Sequence, residues 1–300
     1  MRRLNLTFNG HGDVIYFVGQ PKLLDSSVLP DEDVLNHLDK YRSKVAELNN
    51  QIVGQSKVIL DGDFRICRHK ECNFGNLITD ALFSYKASVS PQKWREAPIA
   101  LFNGGSIRNT IEPVNGDVTK GELLGATPFG NQIVTVTLNG SNLIKTLEIG
   151  ARSNGETSFG EFLQVSGLRV VLDMSKPPMS RVVSVQARCG TCNVLEYEEV
   201  EPSKNYTMVT TSFLALDGGD GHYVLTEYGF NKIIEKLNDV DTVSWYIGKY
   251  SPVEPRVEGR IILVECNGSD NFSGFGEMVE PSRYISVMLI LYSLLINIKI

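Results

Sequence analysis

The stretch Asn103-Gly104-Gly105-Ser106-Ile107-Arg108 follows a short apolar run, Ile99-Ala100-Leu101-Phe102, and reads as a turn at the end of a buried strand. Paired glycines let backbone approach a ligand closely, because no Cβ stands in the way. The flanking Asn and Arg offer an amide and a planar guanidinium fork, which suit phosphate or carboxylate. Arg68, inside Cys67-Arg68-His69-Lys70-Glu71-Cys72, can neutralise the same anion from a second side. Phe129 and Phe213 stand in glycine-bearing loops rather than on apolar stripes, where two rings can clamp a planar one. Asp220, inside Gly218-Gly219-Asp220-Gly221, can accept from vicinal hydroxyls, as acidic residues do for ribose. Anion grip, planar clamp and hydroxyl acceptor together describe a nucleoside phosphate. Taken singly, each Phe reads equally as core and each Arg as a solvated side chain.

Other chemistries lack their residues. The sequence contains no His-x-x-x-His and no carboxylate cluster beside a histidine, so no metal constellation is visible. No Gly-x-Ser-x-Gly elbow accompanies a nucleophile–base pair. The four histidines, at 11, 37, 69 and 222, read as surface or structural residues.

These loops need a scaffold. Residues 3–8 and 13–18 read as two strands joined by Asn9-Gly10-His11-Gly12, a hairpin signal. Such a hairpin alone is marginal and belongs to the edge of something larger. Residues 33–48 carry Val34, Leu38, Tyr41, Val45 and Leu48 on one helical stripe, whose ordinary explanation is core packing. From residue 58 strands alternate with helices. Strands are expected at 58–60, 99–102, 132–138, 162–174, 181–188, 206–211 and 260–264. Helices are expected at 73–85, from the Thr119–Glu122 capping box, from Ser141 to 151, at 223–237 and at 242–249. The result is an α+β (mixed α/β) domain over about 51–265.

The chain has 300 residues, of which 42% are apolar and 21% charged, enough to bury a large core. A net charge of −6 and the lack of any basic block exclude a nucleic-acid binder. Five cysteines and five Asn-x-Ser/Thr sequons, at Asn5, Asn139, Asn205, Asn267 and Asn271, favour a secretory route with disulfides over free thiols. Residues 284–298 are apolar and uncharged but shorter than a usual spanning helix. Small residues at 267–269 or 273–274, a polar spacer and this tail follow the order of a GPI-attachment signal. A short tail anchor and a buried C-terminal helix are the alternatives. Met1-Arg2-Arg3 leads straight into a strand-like segment with no leader, which suggests a missing N-terminal portion.

Several motifs, in order, resemble the C-terminal, substrate-binding domain of the 5′-nucleotidase/apyrase family, and most nearly its animal, membrane-anchored members. They are residues 67–77, 103–108 and 128–131, Gly160-Glu161-Phe162-Leu163-Gln164-Val165-Ser166-Gly167, Asn205-Tyr206-Thr207, residues 213–215 with 218–221, and Val257-Glu258-Gly259-Arg260-Ile261. The resemblance implies that Arg68 and Arg108 bind the phosphate next to the ribose. It implies that Phe129 and Phe213 sandwich the base, that Asn103 and Asp220 contact the nucleoside, and that Asn131 contacts the base. It implies disulfides Cys67–Cys72 and Cys189–Cys192. A third family disulfide is replaced by Thr79 and Ala100, Cys266 is left over, and Ser106 stands where the family usually has a third glycine.

By the same resemblance, residues 1–30 are a remnant of an N-terminal metallophosphoesterase domain, 31–50 a linker helix, 51–265 the nucleotide-binding domain and 266–300 the anchor signal. Two divalent metals, usually zinc, and a His–Asp dyad would sit in the N-terminal domain. This chain would then bind no cofactor and lack catalytic residues. The expected function is hydrolysis of extracellular nucleoside 5′-monophosphates such as AMP, at the outer face of the plasma membrane, with this chain inactive alone. A homodimer is also implied. The alternatives are a secreted apyrase-type enzyme cleaving ATP and ADP, which would need no anchor signal, and a non-catalytic nucleotide-binding protein.

Overall fold

The structure, a computed structural model, describes residues 3–153 and 160–264. Cys266, the sequons at Asn267 and Asn271 and the apolar tail lie outside the described residues. The strands β1 (Asn5–Phe8) and β2 (Val14–Val18) pair antiparallel. The Asn9 side chain accepts from the His11 and Asp13 amides to close the hairpin. Helix α1 (Glu32–Asn50) starts at Asp31, whose carboxylate accepts from the Asp33 and Val34 amides that the first turn leaves open. No residue of α1 is buried: Val34, Leu38, Tyr41 and Val45 of its apolar stripe are exposed rather than in the expected core, and Leu48 is half-buried. Periodicity reports that a face is apolar; it does not report what covers it.

The body of the chain contains β3 (Ile52–Gln55), α2 (Phe64–Cys67), α3 (Asn73–Val89), β4 (Ile99–Asn103), β5 (Asp117–Thr119), α4 (Lys120–Ala126) and β6 (Gln132–Asn139). There follow α5 (Gly140–Gly150), β7 (Leu163–Ser166), β8 (Leu168–Asp173), β9 (Val182–Arg188), β10 (Tyr197–Glu199) and β11 (Asn205–Thr211). The order ends with α6 (Ser212–Ala215), α7 (Tyr223–Glu227), β12 (Phe230–Asn238), α8 (Asp239–Tyr250) and β13 (Ile261–Val264).

The central sheet has strand order β12-β6-β11-β4-β7, with β4 and β11 parallel and the other neighbours antiparallel. Because side chains alternate across a strand, a sheet covered on both faces divides its apolar residues between two cores. Ile99 and Leu101 of β4 join Val134, Val136, Leu143 and Leu147 on one side. Ala100 and Phe102 join Phe74, Ile78, Leu82, Val243 and Ile247 on the other. A second sheet, β10-β9-β8-β13, packs beyond α5. The fold is mixed α/β, as the sequence implies.

Four local expectations are corrected. Residues 162–174 are not one strand: Gly167, at φ +72°, breaks them into β7 and β8, which belong to different sheets. Residues 223–237 are not one helix: α7 stops at Glu227, and after Gly229 the chain becomes β12, an edge strand pairing Ile233 with Thr135. Pairing with β6 overrides a helix-like apolar spacing there. Residues 58–60 form no strand beyond a bridge from Leu60 to Ile111. The cap of α5 is Asn139, accepting from the Asn142 amide, rather than Ser141.

Candidate functional site

The topology gathers the loops. Parallel neighbours β4 and β11 end on the same side of the sheet, so the segments after them, 104–108 and 212–221, meet at their carboxyl ends. Strand β6 runs antiparallel to β11, so its start, preceded by Phe129 and Asn131, reaches the same edge. Arg68, Asn103, Arg108, Phe129, Asn131, Phe213 and Asp220 line one cavity together with Gly105 and Ser106. All seven sequence-derived candidates are therefore brought together. Ligands commonly sit in such a crevice outside strand carboxyl ends.

Arg68 directly follows α2, in a loop closed by the Cys67–Cys72 disulfide. Burial, and then the nearby Arg108 guanidinium, push Arg68 down from its ordinary value, against Asp220 and Glu161. Two cations held beside one cavity repel until an anion arrives. Arg108 is exposed, with its amide donating to Ala126 O at 2.8 Å.

Asn103 is buried at the end of β4, and its Nδ2 donates to Asp220 Oδ2 at 2.7 Å. Ser106 Oγ donates to Asn103 Oδ1 at 2.8 Å. Asp220 adopts φ +53°, a left-handed conformation reached by few non-glycine residues. Two glycines admit this packing: a Cβ on Gly105 would lie 2.8 Å from Asp220 Oδ2, and one on Gly160 would lie 2.9 Å from it. Phe213 packs under Gly219, while Phe129 projects from its loop 54% exposed. The two rings differ in how firmly they are held.

Sequence reasoning missed the layer behind these residues. Arg152 donates to Asp220 O at 3.1 Å and pairs with the buried Glu161 carboxylate at 3.5 Å. His222, fully buried, is pushed by desolvation down to about 4 and is neutral; its Nε2–H donates to Glu161 O at 2.8 Å. These contacts tie the Asp220 loop to the start of β7. Glu161 lies inside the 160–167 motif and His222 directly follows the 218–221 motif, but their partners are far away in sequence. The second disulfide, Cys189–Cys192, is also formed. Thr79 and Ala100 are buried, with Thr79 Oγ1 donating to Gly75 O.

Among the described residues, the grouping of ligand types close enough to hold a metal is Cys189, Cys192 and Glu198, and its two sulfurs are bonded to each other. That set does not fit a two-metal centre, so no hydrolytic step is derived from it.

The family described as 5′-nucleotidase, C-terminal domain, matches residues 52–227, and the chain belongs to that family. It is 39% identical over 266 residues to Protein 5NUC of Lutzomyia longipalpis, covering 86% of this chain and 46% of that protein. It is 36% identical to the 5′-nucleotidase of Mus musculus, covering 96% of this chain and 49% of that one. Among solved structures, the 5′-nucleotidase precursor from Thermus thermophilus superposes with a TM-score of 0.69 at 32% identity, over 88% of this chain and 49% of that one. The chain thus spans about half the length of the relatives it matches.

Proposed function

We propose that the chain is the nucleotide-binding half of a 5′-nucleotidase acting on nucleoside 5′-monophosphates such as AMP. Arg68 and Arg108 grip the phosphate as two charge-assisted donors. Phe129 and Phe213 hold the base between them. Asp220 accepts from the ribose hydroxyls, Asn103 contacts the nucleoside and Asn131 reaches the base. The observation that carries this reading is the convergence of two guanidiniums, two aromatic rings and the Asn103–Asp220 pair on one cavity. The relatives' names support the substrate class.

In this reading the two divalent metals that polarise the phosphoryl group and activate water belong to the half of the relatives that this chain does not span. The chain by itself binds nucleotide and does not hydrolyse it. It is displayed at the outer face of the plasma membrane through a GPI anchor, as a homodimer. No helix among the described residues is long and apolar enough to cross a membrane.

Titration calorimetry of AMP, adenosine and inorganic phosphate into the purified chain tests this. AMP should bind more tightly than either part, and no phosphate should be released when zinc is added. Equal affinity for AMP and adenosine would remove the phosphate grip. Metal-dependent release of phosphate would remove the claim of inactivity. Release from expressing cells by a phosphatidylinositol-specific phospholipase checks the anchor, and sedimentation checks the dimer.

A further inference from the structure

Gln164 lies on β7 with none of its surface exposed. A primary amide carries two N–H donors and one carbonyl acceptor, and burying these without partners is costly. Gln164 directs all of them at a single loop. Its Nε2 donates to Cys67 O at 2.9 Å and to Lys70 O at 2.8 Å, and its Oε1 accepts from the Cys72 amide at 3.0 Å. These backbone groups bracket Arg68 on both sides.

Neighbouring glycines make room for this contact. A Cβ on Gly75 would lie 2.4 Å from Gln164 Cγ, and one on Gly104 would lie 2.1 Å from Cys67 O. The loop is thus seated against α3 and the end of β4 while Gln164 holds it from β7. The Cys67–Cys72 disulfide does something different: it joins the loop to itself and fixes its shape. Gln164 fixes where that shape sits on the sheet.

We propose that Gln164 is the positioning residue for Arg68, holding its guanidinium at the cavity it shares with Arg108 so that the anion grip is formed before ligand arrives. The proposal rests on the nucleotide reading of the site. Its physical motive is the like charge of the two arginines. Burial and Arg108 both disfavour the charged Arg68, so a loosely tethered loop would relax by carrying Arg68 away. A backbone clamp on both sides of residue 68 opposes that relaxation, and preorganised groups bind more tightly because they are not ordered on binding.

The test compares AMP and adenosine affinities of the chain with those of Gln164→Met, Gln164→Glu, Arg68→Ala and the double variant Arg68→Ala/Gln164→Met, with melting curves recorded alongside. Met keeps the side-chain length and removes the hydrogen bonds; Glu keeps an acceptor and removes the donors, and carries the comparison where the Met variant melts below the titration temperature. Gln164→Met should weaken AMP about tenfold and leave adenosine within about twofold, and should cost nothing more once Arg68 is Ala. Equal losses for AMP and adenosine, or additive losses in the double variant, overturn the positioning role in favour of general packing. Should the unmutated chain bind AMP no better than adenosine, the nucleotide reading fails and this proposal falls with it.

Discussion

Asn103 Nδ2 donates to Asp220 Oδ2 at 2.7 Å, joining residues 117 positions apart in the sequence. Ser106 holds the other end of the same amide, so Asn103 is fixed between a hydroxyl donor and a carboxylate acceptor. A carboxylate only accepts, which dictates which way the amide faces. Burial raises Asp220 above its ordinary value; Asn103 opposes this, Glu161 adds to it and Arg68 opposes it.

Removing the Asp220 end of this pair should act on the nucleoside rather than the phosphate. Asp220→Asn, which loses the acceptor-only carboxylate, is expected to weaken AMP and adenosine alike by about tenfold, the worth of one charge-assisted hydrogen bond. Ser106→Ala frees the Asn103 amide and should lower stability by about 1 kcal/mol. Calorimetry with both ligands, beside urea denaturation, checks the two expectations.

The two phenylalanines should separate binding from stability. Phe129 is 54% exposed, so Phe129→Ala should weaken AMP by about tenfold while leaving the melting temperature unchanged. Phe213 packs against the core as well as under Gly219, so Phe213→Ala should lower both affinity and melting temperature. A Phe129 variant with unaltered AMP affinity would remove that ring from the site.

Gly219→Ala probes the same ring from above. A Cβ there would stand 2.2 Å from Phe213 Cζ, and a contact that short forces the ring to move. AMP affinity should fall to about that of Phe213→Ala, a loss of tenfold or so. The near-ultraviolet circular dichroism of the chain should change with it.

Asp239, the first residue of α8, supplies a pH dependence. Burial pushes it from 3.8 up to about 6, although Val240 N–H donates to its Oδ1 at 2.8 Å. A carboxyl raised on folding stabilises the protein while protonated; that contribution is complete below 3.8 and is lost as pH rises through about 6. Relative to Asp239→Asn, the chain should therefore lose roughly 3 kcal/mol between about pH 4 and pH 7. Denaturation midpoints of both proteins across that range check the sign as well as the size.

Features that depend on neighbours along the chain were legible in the residues alone. The capping box at Thr119–Glu122 and the apolar run of β4 both form where local pattern puts them. So do the turns that carry Asn103, Phe129 and Asp220, because glycine and asparagine spacing is legible one loop at a time. What pairs with what was settled in three dimensions. Residues 230–238 became a strand because β6 offered an unpaired edge, and Gly167 sent β7 and β8 into different sheets. Gln164, Glu161, Arg152 and His222 gained their roles from partners up to 97 residues away, at distances no spacing rule encodes. A hydrogen bond is a statement about three-dimensional proximity, and only the parallel pairing of β4 with β11 brings Asn103 within reach of Asp220.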